Sequence, residues 1–146
     1  MTKVITTKKK MVEKTKNKQK LEINFITLNI RGLNGPSKVH FLKDYFGAHG
    51  IDICFLQETH INSSDYVDEL GNAISEFFCF FTVNCDKTRG VGILIKKDIS
   101  HNVNILNTQY DLNCRFLRIE KEIDKCTFNF LNIYSPNMEN EQHEYK

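Results

Sequence analysis

Tryptophan is absent from this chain, and no stretch approaches the roughly 18 uninterrupted apolar residues that a membrane-spanning helix requires. The longest apolar patch, Phe77 to Val83, is only as long as a strand. Met1–Lys20 contains no apolar segment of the secretory type. It carries Glu13 and no Arg, which argues against a mitochondrial transit peptide. Five cysteines (Cys54, Cys79, Cys85, Cys114 and Cys126) form no C-x-x-C pair and no Cys/His cluster at zinc spacing. Cys54 and Cys79 lie inside apolar runs and read as small core residues. The expectation is an intracellular chain with reduced thiols and no membrane partner. No internal repeat is found.

What is present is ordinary globular composition: 40% hydrophobic and 26% charged residues over 146 positions, with 11 Phe to build a dense core. This excludes a wholly disordered chain, a collagen-like fibre and a coiled-coil rod, and the length suits one domain. The net charge of +2 conceals an asymmetry: residues 1–20 hold eight Lys against one acid and carry +7, while the remainder carries −5. Residues 1–20 are therefore expected to form a disordered Lys-rich tail, too poor in large apolar groups to offset its ordering entropy. Residues 21–146 would be the folded domain. Such a tail can bind polyanions, act as an import signal, or be a plain solvated leader.

Leu21–Ile30 alternates and is rich in β-branched residues, which predicts a strand. Arg31-Gly32-Leu33-Asn34-Gly35-Pro36 is a turn signal, and Ser37 could cap a helix from Lys38 to about Ala48. Val39, Leu42, Tyr45 and Phe46 would share its buried face, with Gly47 and Gly50 supplying the stop. Ile51–Gln57 predicts a strand covered on both faces, and strand–helix–strand order predicts that these two strands run parallel. Asn62–Ser75 is polar, with a weak helical face at Tyr66, Val67 and Leu70. Further strands are expected at Phe77–Val83, Gly90–Lys96, Val103–Leu106, Arg115–Lys121 and Thr127–Tyr134. The short polar segments between them favour antiparallel neighbours. The fold class is α/β with α+β texture: a βαβ start followed by an antiparallel run.

Side chains at strand ends gather at one rim of an α/β sheet, where ligands bind. Asn29 ends the first strand, Glu58 follows the second, and Tyr134 and Asn137 sit at the end of the last. An all-oxygen set of this kind suits Mg²⁺, which takes one or two carboxylates plus water and substrate phosphate. It does not suit zinc or a nucleophilic triad. Each residue also has a structural reading. Asn29 could start the turn, Glu58 could cap the following loop, Tyr134 could be a core residue with its hydroxyl outside, and Asn137 could be a turn residue.

Four segments in order carry a family likeness: Asn29 in LNIRGLN, Glu58 in FLQETH, Arg89–Lys96 as RGVGILIK, and Tyr134 and Asn137 in NIYSPN. The chain from about Ile23 to Lys146 resembles the endonuclease/exonuclease/phosphatase superfamily. The wording is most similar to the apurinic-type endonuclease domain of LINE-like non-LTR retrotransposons. Arg31 stands where repair-type members often carry Asp, so abasic-site specificity is not expected.

The resemblance implies a four-layer α/β sandwich, two mixed sheets face to face with helices outside, and Mg²⁺-dependent (or Mn²⁺-dependent) nicking of DNA. It implies that Glu58 ligates the metal and that Asn29 holds the metal–phosphate network. By the same likeness, Tyr134 contacts the scissile phosphate and Asn137 supports it. The family's G-D-x-N and S-D-H motifs, which orient the attacking water and supply the general base, occur nowhere in the chain.

His40, His49, His60, His101 and His143 all read as surface residues and do not replace them. The expectation is therefore the N-terminal half of such a sandwich, inactive alone and nuclear if functional. Its partners would be DNA, the missing C-terminal half, or a reverse-transcriptase region. Two alternatives stay open: a phosphatase branch of the same superfamily, and a non-catalytic nucleic-acid-binding module using the Lys-rich tail.

Overall fold

The structure, a computed structural model, describes residues 9–14, 20–83, 85–86, 89–99, 105–123 and 125–135. Asn137, His101, His143, residues 1–8 and 15–19 of the expected tail, and the expected C-terminal loop lie outside the described residues.

The elements in chain order are β1 (Lys9–Lys14), β2 (Lys20–Asn29), α1 (Pro36–His49), β3 (Ile53–Gln57), α2 (Ser64–Ala73), β4 (Phe77–Phe81), β5 (Val91–Lys96), β6 (Ile105–Tyr110), β7 (Phe116–Ile123) and β8 (Cys126–Ile133). They build a five-stranded sheet of order β1-β2-β3-β5-β4 and a three-stranded sheet of order β6-β7-β8. β2 and β3 are parallel, as the strand–helix–strand pattern predicts, with Asn29 opposite Gln57. β5 runs antiparallel to both β3 and β4.

Strand alternation divides the core into two layers. Ile26 and Leu28 of β2, Cys54 and Leu56 of β3, and Leu94 of β5 face one way. They meet Val39, Leu42 and Phe46 of α1 together with Leu70 and Ile74. Ile23, Ile53, Val91, Ile93 and Ile95 face the other way and meet Leu117, Ile119, Ile123 and Phe130 of the second sheet. β3 is thus covered on both faces, which is why its sequence is a nearly continuous apolar run. Burial raises the thiols of Cys54 and Cys79 in this core, the latter to about 12.

Four expectations are corrected. Lys9–Lys14, inside the segment read as a disordered tail, pairs antiparallel with β2, so ladder hydrogen bonds order a stretch with too few apolar residues to order itself. The helix starts at Pro36 rather than after a Ser37 cap: Gly35, at φ 101°, takes the cap position, and the fixed φ of proline suits the first helical residue. Gly47 is helical, and the stop is Gly50 alone, left-handed at φ 57°. Finally, β6 does not pair with β5. Both edges of β5 are already taken by β3 and β4, so the chain crosses to the second sheet instead. Helices cover the outside of the first sheet; among the described residues none covers the outside of the second. Three of the four expected layers are therefore present.

Phe46 is buried against the Phe77 ring at 5.0 Å, whereas Phe41 on the same helix is 46% exposed. Phe46→Ala is expected to cost about 3–5 kcal/mol and Phe41→Ala under about 1 kcal/mol, measured by urea denaturation.

Candidate functional site

The parallel pairing of β2 with β3 brings Asn29 and Glu58 to one rim, and the inner face of β8 brings Tyr134 to the same place. The Asn29 carboxamide donates from Nδ2 to Glu58 Oε1 at 2.8 Å, and the Tyr134 hydroxyl donates to the same oxygen at 3.2 Å. Three of the four sequence-derived candidates are therefore one hydrogen-bonded cluster drawn from both sheets. Asn29 also accepts the Arg31 backbone N–H at Oδ1, at 3.2 Å, so the turn role and the contact with Glu58 coexist in one side chain. Tyr134 likewise packs against the inter-sheet core while its hydroxyl reaches the rim.

The backbone aims Glu58. Its φ is 54°, a region that non-glycine residues rarely occupy, and His60 two residues later sits at 57°. Hydrogen bonds on both sides hold this strained loop. Gly32 N–H reaches Glu58 O at 2.6 Å, Leu33 N–H reaches Thr59 O at 2.9 Å, and on the other side Thr59 N–H reaches Gly90 O at 3.1 Å. Gly90, at φ 115°, must be glycine, because a Cβ there would run into Thr59 Oγ1 and stand 3.0 Å from the His60 nitrogen. Lys38 closes the neighbouring turn, its Nζ donating to the carbonyls of Ile30, Arg31 and Gly32 at 2.9, 2.6 and 2.6 Å.

Below the rim lies a polar bridge between the sheets. Gln57 Nε2 donates to Asn132 Oδ1 and to Thr27 Oγ1, both at 2.9 Å. Asn132 Nδ2 donates in turn to the carbonyls of Leu56 and Gly92 at 2.8 and 2.9 Å. Thr27, Gln57 and Asn132 each lie within two residues of Asn29, Glu58 or Tyr134, so the bridge fixes where the three rim groups meet. These residues were passed over in the sequence. The available signal was a polar residue at an inward position of an otherwise apolar strand, as Asn132 is in FLNI.

Arg115 was also passed over. It is buried, and its carbonyl accepts the Tyr134 N–H at 2.8 Å, with Asp111 Oδ1 holding the turn before it.

His60 corrects the surface reading. Its Nε2 is buried without a hydrogen-bond partner among the described residues, and Gly32 leaves room for its Nδ1. A turn tied to the rim on both sides draws it in. Desolvation lowers its pKa below the usual imidazole value, partly opposed by Glu58. Thr59 Oγ1 beside it is likewise buried and unpartnered. His40 and His49 are exposed, as expected.

Among the described residues no three His, Cys, Asp or Glu side chains gather, so no closed cage of protein ligands is built. A single carboxylate, its Oε1 held by Asn29 Nδ2 and the Tyr134 hydroxyl, fits a hard cation that keeps most of its water and takes further ligands from a phosphate.

Residues 26–144 match the Endonuclease/Exonuclease/phosphatase family, and the chain belongs to it. Its fold is the α/β sandwich of that family. Humanised D. rerio TDP2 superposes with a TM-score of 0.61 at 20% identity, covering 84% of this chain and 54% of that one. The AP endonuclease LMAP from Leishmania major gives 0.61 at 18%, covering 83% and 43%. D. rerio TDP2 complexed with a single-strand DNA product gives 0.55 at 20%, covering 75% and 44%. This chain thus spans about half the length of these solved structures.

Asn132→Ala strands Gln57 and two buried carbonyls and is expected to cost about 2–4 kcal/mol, against under about 1 kcal/mol for Asn129→Ala on the exposed face of β8. Guanidinium denaturation of both variants checks this.

Proposed function

We propose that this chain carries the cation-binding half of a Mg²⁺-dependent phosphodiester hydrolase, a DNA-nicking endonuclease of the kind found in LINE-type retrotransposons, working in the nucleus. The observation that carries the reading is the convergence of Asn29 and Tyr134 on one oxygen of Glu58. The DNA product held by one structural relative supports DNA as the substrate class.

Glu58 would hold the cation with Asn29 beside it, and Mn²⁺ would serve in its place. A bound Mg²⁺ supplies charge to offset what develops on a phosphate oxygen during displacement. Asn29 fixes the carboxylate's orientation by donating to Oε1. Tyr134 holds its hydroxyl proton at the same oxygen and would turn it toward a phosphate oxygen of a bound substrate. Asn137 follows Tyr134 by three residues and would support that phosphate from the turn. The bridge through Gln57 and Asn132 keeps these groups at fixed separation, which catalysis by positioning requires.

The water-orienting and general-base motifs are absent from these 146 residues. Residues that act as a unit lose nearly all their rate enhancement when part of the unit is missing. The chain alone is therefore inactive, and its partner is the polypeptide that supplies those groups, the other half of the domain or an adjoining reverse-transcriptase region.

Titration calorimetry with MgCl₂ is expected to show weak, saturable binding that falls at least about tenfold in Glu58→Gln, with an unchanged thermal melt. Undiminished uptake by that variant would remove the proposed cation site. On supercoiled plasmid with Mg²⁺, the chain is expected to give no nicking above background; robust nicking would refute the incompleteness of the active site.

A further inference from the structure

Lys38 is the third residue of α1, and its charge there runs against helix electrostatics. The unpaired N–H groups of a first helical turn leave partial positive charge, which favours acidic side chains and opposes a lysine. The first turn of α1 holds no acid, and no side chain caps it. The ammonium group of Lys38 therefore does nothing for the helix that carries it.

What it serves is the turn just before the helix. The half-buried Lys38 donates from Nζ to the carbonyls of Ile30, Arg31 and Gly32 at 2.9, 2.6 and 2.6 Å. Successive carbonyls of an extended chain point to opposite sides, so three in a row converge only where the chain reverses. Arg31 at φ 49° and Gly32 at φ 83° make that reversal, and for Arg31 this is a conformation that non-glycine residues rarely hold. Three carbonyl oxygens brought to one focus repel each other, and a cation at the focus removes the repulsion. An ammonium has three N–H donors, and here each has its own carbonyl. None is left over for a phosphate, which separates Lys38 from a lysine that would contact substrate.

The same turn holds the rim. Asn29 lies one residue before it and accepts the Arg31 N–H at Oδ1. Within the turn, Gly32 N–H donates to the Glu58 carbonyl at 2.6 Å, and Leu33 N–H follows with a bond to the Thr59 carbonyl at 2.9 Å. One hydrogen-bonded turn thus connects the ammonium to both members of the Asn29–Glu58 pair.

We propose that Lys38 is a positioning residue: its ammonium, enclosed by three successive carbonyls, shapes the turn at 30–32 that sets Asn29 and Glu58 for a divalent cation. The shaping of the turn stands on these hydrogen bonds alone, whereas its effect on cation uptake rests on the reading of Glu58 given above. A purely structural role in α1 predicts the opposite behaviour, since removing the charge would leave the helix as stable or more so and the rim unmoved.

The test uses the full chain, first without metal. In Lys38→Met, hydrogen exchange at the Gly32 and Leu33 amides is expected to quicken at least about tenfold, with the amides of β7 unchanged. Lys38→Arg keeps the charge but spreads its donors over a planar fork, so exchange at the same two amides is expected to quicken at least about threefold. If Lys38→Met does not fold, the exchange map of Lys38→Arg decides. Titration calorimetry with MgCl₂ then reads the consequence. Affinity is expected to fall at least about fivefold in Lys38→Met, and less than about twofold in Lys43→Met, which removes an exposed ammonium from the same helix. If the unaltered chain takes up no Mg²⁺, the cation reading of Glu58 fails, and the exchange measurement alone decides whether Lys38 shapes the turn. Three results would overturn the proposal: unchanged exchange at Gly32 and Leu33 in Lys38→Met, protection by Lys38→Arg equal to that of lysine, or a loosened turn with undiminished Mg²⁺ affinity.

Discussion

Asn132 fastens the two sheets to one another. Its carboxamide accepts from Gln57 on β3 and donates to carbonyls of β3 and β5, from a position on β8 in the opposite sheet. Apolar packing between sheets is non-directional and tolerates sliding. A buried amide with its hydrogen bonds satisfied does not, because any shift leaves donors and acceptors unpaired in a medium that cannot replace water. The meeting of Tyr134 with Glu58 follows from this constraint, since each is within two residues of the bridge.

The inter-sheet layer changes character along its length. On β2 the inward residues run Ile23, Phe25, Thr27, Asn29; on β3 they run Ile53, Phe55, Gln57; on β8 they run Phe128, Phe130, Asn132, Tyr134. Each series passes from apolar to polar toward the same rim. The apolar end supplies cohesion, the middle fixes register, and the rim holds groups exposed enough to meet a ligand. The strained φ of Glu58 belongs to this economy: hydrogen bonds from Gly32 on one side and to Gly90 on the other hold a conformation the residue would not adopt alone.

The sandwich is lopsided, five strands against three, with helices outside only the larger sheet among the described residues. The smaller sheet accordingly leaves Leu106, Tyr110, Leu131 and Ile133 exposed.

Much of this was legible in the chain. Alternation and apolar runs located the strands of the domain, and strand–helix–strand order dictated that β2 and β3 be parallel, because a crossover of that length leaves no other short path. Motif order placed Asn29, Glu58 and Tyr134 at strand ends. The bridge was not legible, because one Asn or Gln in a strand does not reveal which backbone carbonyls will lie across from it. Nor was the burial of the His60 Nε2, which depends on Gly32 and Gly90 bringing two loops against the ring. β1 was hidden because a lysine-rich segment pairs through backbone groups that composition does not register. The sequence by itself determined the periodicity, and hence the elements and the faces they bury. Only the tertiary structure decided the partners: β6 crossing to a second sheet because β5 had no free edge, and two donors from different sheets meeting on a single carboxylate oxygen. Periodicity is a property of neighbours along the chain, whereas partnership is settled by which edges and carbonyls remain free once the rest has packed.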